Sequence, residues 1–283
     1  MKSVFHLNDA VSWQPTLIAL SMFIVMNAQS HDITDYEAVL KAGDAARLAV
    51  MLADEKDKPW PRSKHGAPLL HLAVSYFHAD NEAELVKVLL AAGAEVDARD
   101  AEGSTALYLA AAYRCLDCVH QLLAAGAFVN ARCAGGRTPL HVARATAIPV
   151  LLAAGADVAA KDNEGNVPLH TNWNETLLSP GINVRNDYGF TPLHFAALRG
   201  DVDGARFLLA QGADPMLEST KDYRYKEGLL ADEWAQYDTI EAGMRPYDIA
   251  LRCHDSSKWS TGKYRAVWEL LDEVTPRRGL LSR

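Results

Sequence analysis

Residues 186–213 read NDYGFTPLHFAALRGDVDGARFLLAQGA, and this stretch decides the fold of the chain. Thr191-Pro192 predicts a helix start, because proline is tolerated in a first turn, where its missing N–H is not needed. A short apolar helix follows, and a second helix with helical apolar spacing leads to Gly212. Glycine just past a helix end supplies the left-handed residue that closes it. The stretch therefore predicts a turn followed by two antiparallel helices.

The same phrases recur in the same order at intervals of about 33 residues. The phrase Pro-Leu-His-x-Ala, or a close variant of it, begins near Leu70, Leu107, Pro139, Pro168 and Pro192. The phrase Ala-Gly-Ala, or a variant, is centred on Gly93, Gly126, Gly155 and Gly212. A turn phrase of the form Asp/Asn-x-x-Gly lies between them at Asp100, Asp162 and Asn186.

Together these phrases resemble the ankyrin repeat family, whose signature includes T-P-L-H-x-A. The resemblance implies an all-α fold, a solenoid of stacked helix–turn–helix units joined by β-hairpin-like turns. About six to seven units are expected, some of them truncated. One unit cannot bury its apolar faces alone, so the core is expected to form between neighbouring units.

The predicted domain organisation has a hydrophobic N-terminal segment, 1–31, and a repeat domain, 32–283. The repeat domain divides into an N-terminal cap at 32–66, clear repeats at 67–216, an insertion at 217–242, and a divergent last repeat with a tail at 243–283. The first full unit carries extra residues, Phe77–Asp80, between its helices. Two neighbouring units look short: one has Pro149 inside its second helix, and the next keeps only Glu175–Leu178 of its second helix.

The insertion combines acidic residues with aromatic rings, and aromatic residues are enriched at protein interfaces. Its rings are Tyr223, Tyr225, Trp234 and Tyr237. Two interpretations remain open. The insertion is either an ordered flap packed on the last repeat or a specificity loop beside the binding face.

The apolar run Leu17–Ala28 is 12 residues long, which is too short to span a bilayer of about 30 Å. Its length suits the core of an export signal, with cleavage after Ala28. This favours a periplasmic or secreted protein without an integral membrane span, and a cytoplasmic location is the alternative. An uncleaved anchor or a docked hydrophobic helix is the other interpretation of the run.

The overall charge argues against polyanionic partners. Lys and Arg number 28 against 36 Asp and Glu, for a net charge of −8. Nucleic acids and anionic membranes both require a cationic surface, so neither is expected as the main partner. The chain also lacks the short motifs of nucleophilic, phosphate-binding and zinc-protease sites, so no enzyme activity and no cofactor are expected.

Histidines and cysteines are the residue types in this chain that are suited to metal or catalytic chemistry. His141, His170 and His194 share one position of the repeat phrase, and the resemblance implies that each bonds the backbone of the neighbouring turn. Cys115 and Cys118 have zinc-like spacing, but a structural zinc needs four ligands and no second pair lies nearby, so no metal is expected. We favour a small buried hydrophobe, with Cys118 facing the core. If the protein is exported, a disulfide from Cys115 to Cys118 or to Cys133 is the alternative.

The resemblance implies a non-catalytic module that grips another protein through its concave face, and the chain is expected to be monomeric. The partner-binding positions that it implies are Glu102, Ser104, Tyr113, Arg137, Arg144, Asn163, Glu164, Asn166, Asp187, Tyr188, Phe190, Leu198 and Arg199. Tyr113, Tyr188 and Phe190 are the expected apolar anchors. Two alternatives stay open: a structural or protective periplasmic protein without one defined partner, and a small-molecule or metal-handling protein.

Overall fold

The fold is available as a computed structural model, which describes residues 31–53, 61–75, 81–113, 115–225, 238–255 and 262–275. The chain divides into two compact units between Val96 and Asp97, and each is considered by itself. Three predictions fall outside the described residues: the export segment up to residue 30, the extra residues 77–80, and the role of Trp234 and Tyr237.

The first unit contains two helix pairs. They are α1 (Ile33–Ala42), α2 (Ala45–Ala53), α3 (Leu69–Ser75) and α4 (Glu82–Ala91). Asp32 begins α1 as a capping residue, because its Oδ1 accepts the backbone N–H groups of Thr34 at 2.8 Å and Asp35 at 3.2 Å. The Thr34 hydroxyl donates to the same oxygen and is the main cause that lowers the pKa of Asp32, and the two backbone hydrogen bonds lower it further. The expected N-terminal helix pair is therefore present.

The core of the first unit comes from the facing sides of these helices. α1 packs on α2 and α3, and α4 packs on α2 and α3. The side chains that fill the space between them are almost fully buried: Tyr36, Leu40, Leu48, Leu69, Leu70, Val86 and Leu89. Apolar positions at helical spacing thus become buried only where a second helix covers them.

The second unit continues the pattern with two complete helix pairs and a divergent last pair. The complete pairs are α5 (Ala106–Ala112) with α6 (Leu116–Ala124), and α9 (Pro192–Arg199) with α10 (Val202–Ala210). Between them lie α7 (Pro139–Val142) and α8 (Ile148–Ala153), then two single 3₁₀ turns, Pro168–His170 and Glu175–Leu177. The last pair is α11 (Pro246–Asp255) with α12 (Gly262–Val274).

The shortened repeats lose helix length but keep hydrogen bonds to the neighbouring repeat. α7 ends after four residues, and two of its carbonyl oxygens accept hydrogen bonds from side chains of the next repeat: Asn172 Nδ2 donates to Leu140 O at 2.9 Å, and Thr171 Oγ1 donates to His141 O at 2.6 Å. Pro149 lies inside the second helix of its repeat, as expected. α8 begins at Ile148, so the proline lies in the first turn, where no N–H is required.

Within the second compact unit, the first helices of successive repeats form an unbroken row. α5 packs on α7, α7 on the first 3₁₀ turn, that turn on α9, and α9 on α11. The second of the two 3₁₀ turns, Glu175–Leu177, stands where the vestigial helix was predicted. An all-α repeat solenoid is confirmed as the fold class.

A short β-hairpin is the feature that an all-α prediction omits. Strand β1 (Tyr223–Tyr225) pairs antiparallel with strand β2 (Asp238–Ile240), and both lie within the predicted insertion. Ile240 is buried in the core cluster formed by α9 to α12. Over the described part of the chain, no helix combines the length and apolar character needed to cross a membrane.

Candidate protein-binding surface

The turns between units stack on one another through backbone hydrogen bonds, and we call this row the tip ladder (residues 100–104, 133–137, 162–166, 186–190 and 219–221). Each turn receives an N–H from the next. The bonds are Ala134 N to Glu102 O at 2.9 Å, Asn163 N to Gly135 O at 3.1 Å, Asp187 N to Glu164 O at 3.0 Å, and Thr220 N to Tyr188 O at 2.8 Å. The ladder continues through the shortened units without a break.

The side chain of the first residue shapes three of the five tips. Asp162 Oδ1 accepts the N–H groups of Glu164 and Asn166, both at 2.9 Å. Asp100 and Asn186 accept the equivalent pairs in their own turns. Such side-chain acceptors favour tight turns over helix, which explains why the phrase predicts a turn.

The fourth residue of the turn must be glycine for two reasons. Gly165 has a φ of 77°, in the left-handed region that glycine tolerates. A Cβ at this position would also lie 2.9 Å from the backbone N of Asp187. The close approach of the two turns is what allows the ladder bond to form.

Histidines hold the base of each turn to the next one. His141, His170 and His194 each accept the N–H of the residue three positions earlier through Nδ1, at 3.1 Å. Their Nε2 atoms lie 3.0–3.2 Å from the carbonyl oxygens of Asn166, Phe190 and Met244, respectively. The expected role of these histidines in bonding the neighbouring turn therefore has direct geometric support.

In the last unit an Arg–Asp pair replaces the Thr–His pair. Asp248 takes the histidine position, and its Oδ2 accepts the backbone N–H and the Nε–H of Arg245, both at 3.0 Å. Hydrogen bonding to Asp248 raises the pKa of the Arg245 guanidinium. The geometry of the helix start is thus retained with different chemistry.

Burial lowers the pKa of all three histidines. The pKa falls to about 4 for His170 and about 3 for His194, and it is also lowered for His141. The cause is loss of water around the charged form, partly offset by the hydrogen bond to the next turn's carbonyl. Neutral imidazoles of this kind are structural and are poorly suited to proton transfer at neutral pH.

A polar network beneath the ladder links three turns. Asn166 Nδ2 donates to Asp162 Oδ2 at 3.1 Å, and Asn186 Nδ2 donates to Asn166 Oδ1 at 2.8 Å. Arg137 Nε approaches Asp162 Oδ2 at 3.4 Å, which forms a partly buried ion pair. Residues that looked like binding positions therefore serve the contact between neighbouring units.

The predicted site residues separate into three groups by exposure. Exposed side chains are Glu102, Arg144, Asn163 and Asp187, and half-buried side chains are Tyr113, Arg137, Glu164, Tyr188 and Arg199. Buried side chains are Ser104, Asn166, Phe190 and Leu198. The first two groups lie on the tips or at the ends of first helices.

The four buried residues correct the predicted surface. Ser104, Asn166 and Phe190 occupy the position after the turn glycine, where the backbone closes the turn on its first residue. Phe190 has no exposed surface, and its ring centroid lies 5.8 Å from that of Phe195. Leu198 is covered because the last unit packs over α9. These side chains belong to the core and cannot anchor a partner.

Two arginines at first-helix ends hold the preceding unit. Arg144 Nε donates to Ala112 O at 3.0 Å, and Arg199 Nη1 donates to Thr171 O at 3.1 Å. A cation at a helix C-terminus is favoured by the helix dipole. Arg144 remains exposed, so its guanidinium can still meet a partner.

Trp173 is a packing residue that the sequence analysis missed. The Arg199 guanidinium lies 5.7 Å from the centroid of its ring, and the ring contacts the position where a Cβ of Gly204 would be. A glycine inside a helix is unfavourable and indicates a close approach, so Gly204 was the available signal. Trp173 thereby packs against the second helix of the following unit.

Cys115 and Cys118 are joined by a disulfide within the second unit. Cys118 is fully buried, as predicted, but the favoured interpretation of a small buried hydrophobe was incomplete because the two sulfur atoms are bonded. Cys133 and Cys253 lie outside this disulfide and carry thiols.

Comparisons with known proteins agree with this geometry. A model of ankyrin repeats in three copies matches residues 70–162, and a model of the ankyrin repeat matches residues 188–220. The shortened repeat with the two 3₁₀ turns, Pro168–His170 and Glu175–Leu177, lies between the two matched ranges. A segment of 59 residues is 42% identical to a protein of Pyrobaculum aerophilum that is named as an ankyrin repeat protein. That match covers 21% of this chain and 21% of the relative.

Proposed function

Since the chain belongs to the ankyrin repeat family over residues 70–162 and 188–220, we propose that it is a non-catalytic module that binds a partner protein through the tip ladder of its second unit. Ankyrin repeats are generally protein–protein interaction modules and are generally non-catalytic. The partner is a single protein, and the chain binds it as a monomer.

The observation that carries this proposal is the unbroken ladder itself. Four backbone hydrogen bonds of 2.8–3.1 Å align five consecutive tips, including those of the shortened units. Three of the five tips are further held by the side-chain acceptor at the start of the turn, which is Asp100, Asp162 or Asn186. A preorganised row of side chains loses little conformational entropy on binding, which favours affinity.

The side chains that are accessible on the tip ladder differ from the partner-binding positions predicted from the sequence. Glu102, Asn163 and Asp187 project from three separate tips, and the half-buried Tyr188 offers an aromatic ring beside Asp187. Tyrosine is enriched among the residues that dominate binding energy at interfaces. We therefore assign Tyr188 as the main apolar contact, with Tyr113 and Arg144 on the first-helix side.

The test is partner capture with a tip variant. We expect the triple variant Glu102→Ala/Asp187→Ala/Tyr188→Ala to retain at least about tenfold less of a stoichiometric partner than the wild-type chain, because loss of an interface anchor costs about 2 kcal/mol or more. The amount of partner retained is measured by quantitative mass spectrometry. Thermal unfolding should change little on loss of the exposed Glu102 and Asp187 side chains. Tyr188 also packs against the core cluster, so the stability cost of Tyr188→Ala is measured on the single variant.

A matched control removes two acids and one ring from the second-helix side and its connections. Asp203→Ala/Glu273→Ala/Phe128→Ala should retain the partner, since all three side chains are exposed away from the tips. Loss of partner in the control with retention in the tip variant would place the interface elsewhere. If the wild type retained no stoichiometric protein, the structural alternative would replace this proposal. A bound metal or small molecule found in the purified protein would favour the ligand-handling alternative.

We also propose that the protein acts in the periplasm or outside the cell. The apolar run Leu17–Ala28 supports export, and the Cys115–Cys118 disulfide supports an oxidising compartment, because disulfides persist mainly there. The mass of the mature chain checks this directly. Cleavage after Ala28 is the expected result, and an intact N-terminus would contradict it.

A further inference from the structure

The Cys115–Cys118 pair lies where a helix begins, within the complete helix pair α5–α6. Cys115 is the residue that caps α6, and the backbone N–H of Cys118 points at its Sγ at 3.2 Å. The two sulfur atoms are bonded across the first turn of this nine-residue helix. The C-x-x-C spacing and the helix start therefore coincide at one point.

In the other complete helix pair of the second compact unit, α9–α10, an acidic residue occupies the position that corresponds to Cys115. Asp201 caps α10, and its Oδ1 accepts the N–H of Gly204 at 2.8 Å, three residues later, as Cys115 Sγ does from Cys118. A carboxylate carries its negative charge at this position. A helix N-terminus favours negative charge, so it would stabilise a Cys115 thiolate.

The two cysteine residues differ in exposure. Cys115 is 8% exposed, whereas Cys118 has no exposed surface. Thiol–disulfide exchange requires that an incoming thiolate reach one sulfur, and the sulfur that becomes a stabilised thiolate is the better partner in later exchange. Both considerations select Cys115 as the sulfur that exchanges with external thiols.

We propose that Cys115 and Cys118 form a reversible redox pair that exchanges with dithiols, with Cys115 as the reactive sulfur. This goes beyond partner binding and does not depend on it. The ligand class is a dithiol reductant in one direction and a disulfide in the other.

The exchange balances in two steps. A thiolate of the dithiol attacks Cys115 Sγ, the protein S–S bond breaks, and the electron pair passes to Cys118 Sγ, which takes up a proton. The second thiolate of the dithiol then attacks its own sulfur in the mixed disulfide and releases Cys115 as a thiolate. Overall, two electrons pass from the dithiol to the protein, and the dithiol becomes a cyclic disulfide.

The first experiment equilibrates the folded full-length chain in mixtures of reduced and oxidised dithiothreitol. After an acid quench, a maleimide mass label counts the thiols under denaturing conditions. We expect the labelled thiols to rise from the two of Cys133 and Cys253 to all four, and to fall again when oxidised dithiothreitol is added. The far-UV circular dichroism should stay unchanged, because a reduced Cys115 still caps α6.

A second experiment assigns the reactive sulfur in a Cys133→Ser background. We expect Cys115, left alone by Cys118→Ser, to form a mixed disulfide with oxidised glutathione at least about tenfold faster than Cys118, left alone by Cys115→Ser. Reduction that requires denaturant would overturn the proposal and leave a structural disulfide. Four free thiols in the air-oxidised protein, or equal rates at the two cysteines, would also overturn it.

Discussion

The Nδ1 atom of His141, His170 and His194 accepts a backbone N–H group, and this explains why these histidines stay neutral. His194 Nδ1 accepts the N–H of Thr191, and its Nε2 lies 3.2 Å from the carbonyl of Met244. The ring nitrogen that faces an N–H donor must be unprotonated, so the other nitrogen carries the hydrogen. Protonation would place two donors against each other inside the core.

This geometry predicts a loss of stability in weak acid. The pKa of His170 falls from 6.5 to about 4 and that of His194 to about 3 on folding, so the unfolded chain binds more protons below pH 6.5. The contribution of these two histidines to the free energy of unfolding should be complete above pH 6.5. The free energy of unfolding should then decrease by a few kcal/mol in total as the pH falls towards 4. Urea unfolding at several pH values measures it.

His194→Asn provides the control, because an amide oxygen can still accept from Thr191 but does not titrate. Between pH 6 and 4.5, the unfolding free energy should depend less steeply on pH than in wild type. The difference in slope should correspond to up to about one fewer proton bound on unfolding. An unchanged slope would show that His194 does not contribute to the acid sensitivity.

At the level of elements, the turns matter more to this fold than the length of the helices. α7 has four residues and the next unit has only 3₁₀ turns, yet the ladder bonds remain between 2.8 and 3.1 Å. Backbone bonds between turns depend on turn shape alone. Helix length depends on an apolar face being covered, and it can therefore be lost without disturbing the ladder.

The turn glycines allow a matched test of the ladder. Gly165 and Gly155 both have positive φ, at 77° and 87°, but only Gly165 would place a Cβ against another turn. Gly155→Ala should cost about 1 kcal/mol of unfolding free energy from backbone strain. Gly165→Ala should cost about 1–3 kcal/mol more, because the Cβ would overlap Asp187.

Urea denaturation of both variants measures the difference, and wild-type m-values should be retained. Equal losses of stability in the two variants would mean that the turns do not need their close approach.

At the scale of the whole molecule, the second unit has a weak segment in its middle. Each 3₁₀ turn contains few backbone hydrogen bonds, and Trp173 supplies packing where a second helix is shortened. The stability of a repeat protein is roughly a sum of unit and interface contributions, so a unit with fewer contacts opens more readily.

Hydrogen exchange should reveal this segment. Within the described part of the second unit, we expect peptides covering residues 168–184 to exchange at least about tenfold faster than peptides covering α9 and α10, since local opening costs less free energy there. Trp173→Ala should also accelerate exchange in α10. Equal protection of residues 168–184 and α9 in the wild-type chain would show that the shortened unit is as stable as its neighbours.

The repeat phrases determined the features that lie within a unit. The Thr-Pro start and the Asp-x-x-Gly turn act through bonds to residues two to four positions away, so helix starts and turns could be predicted directly. The histidine position was predictable too, because its acceptor is always the next turn.

Only the tertiary structure decided which side chains face solvent. Phe190 and Tyr188 look equivalent in the phrase, but Phe190 is fully buried and Tyr188 is half-exposed. Burial depends on what the neighbouring unit places over a residue, and the shortened units and the divergent last pair change that neighbour. For the same reason, the packing of Trp173 on Gly204 could not be derived from the repeat pattern, and the Cys115–Cys118 bond could be named only as an alternative.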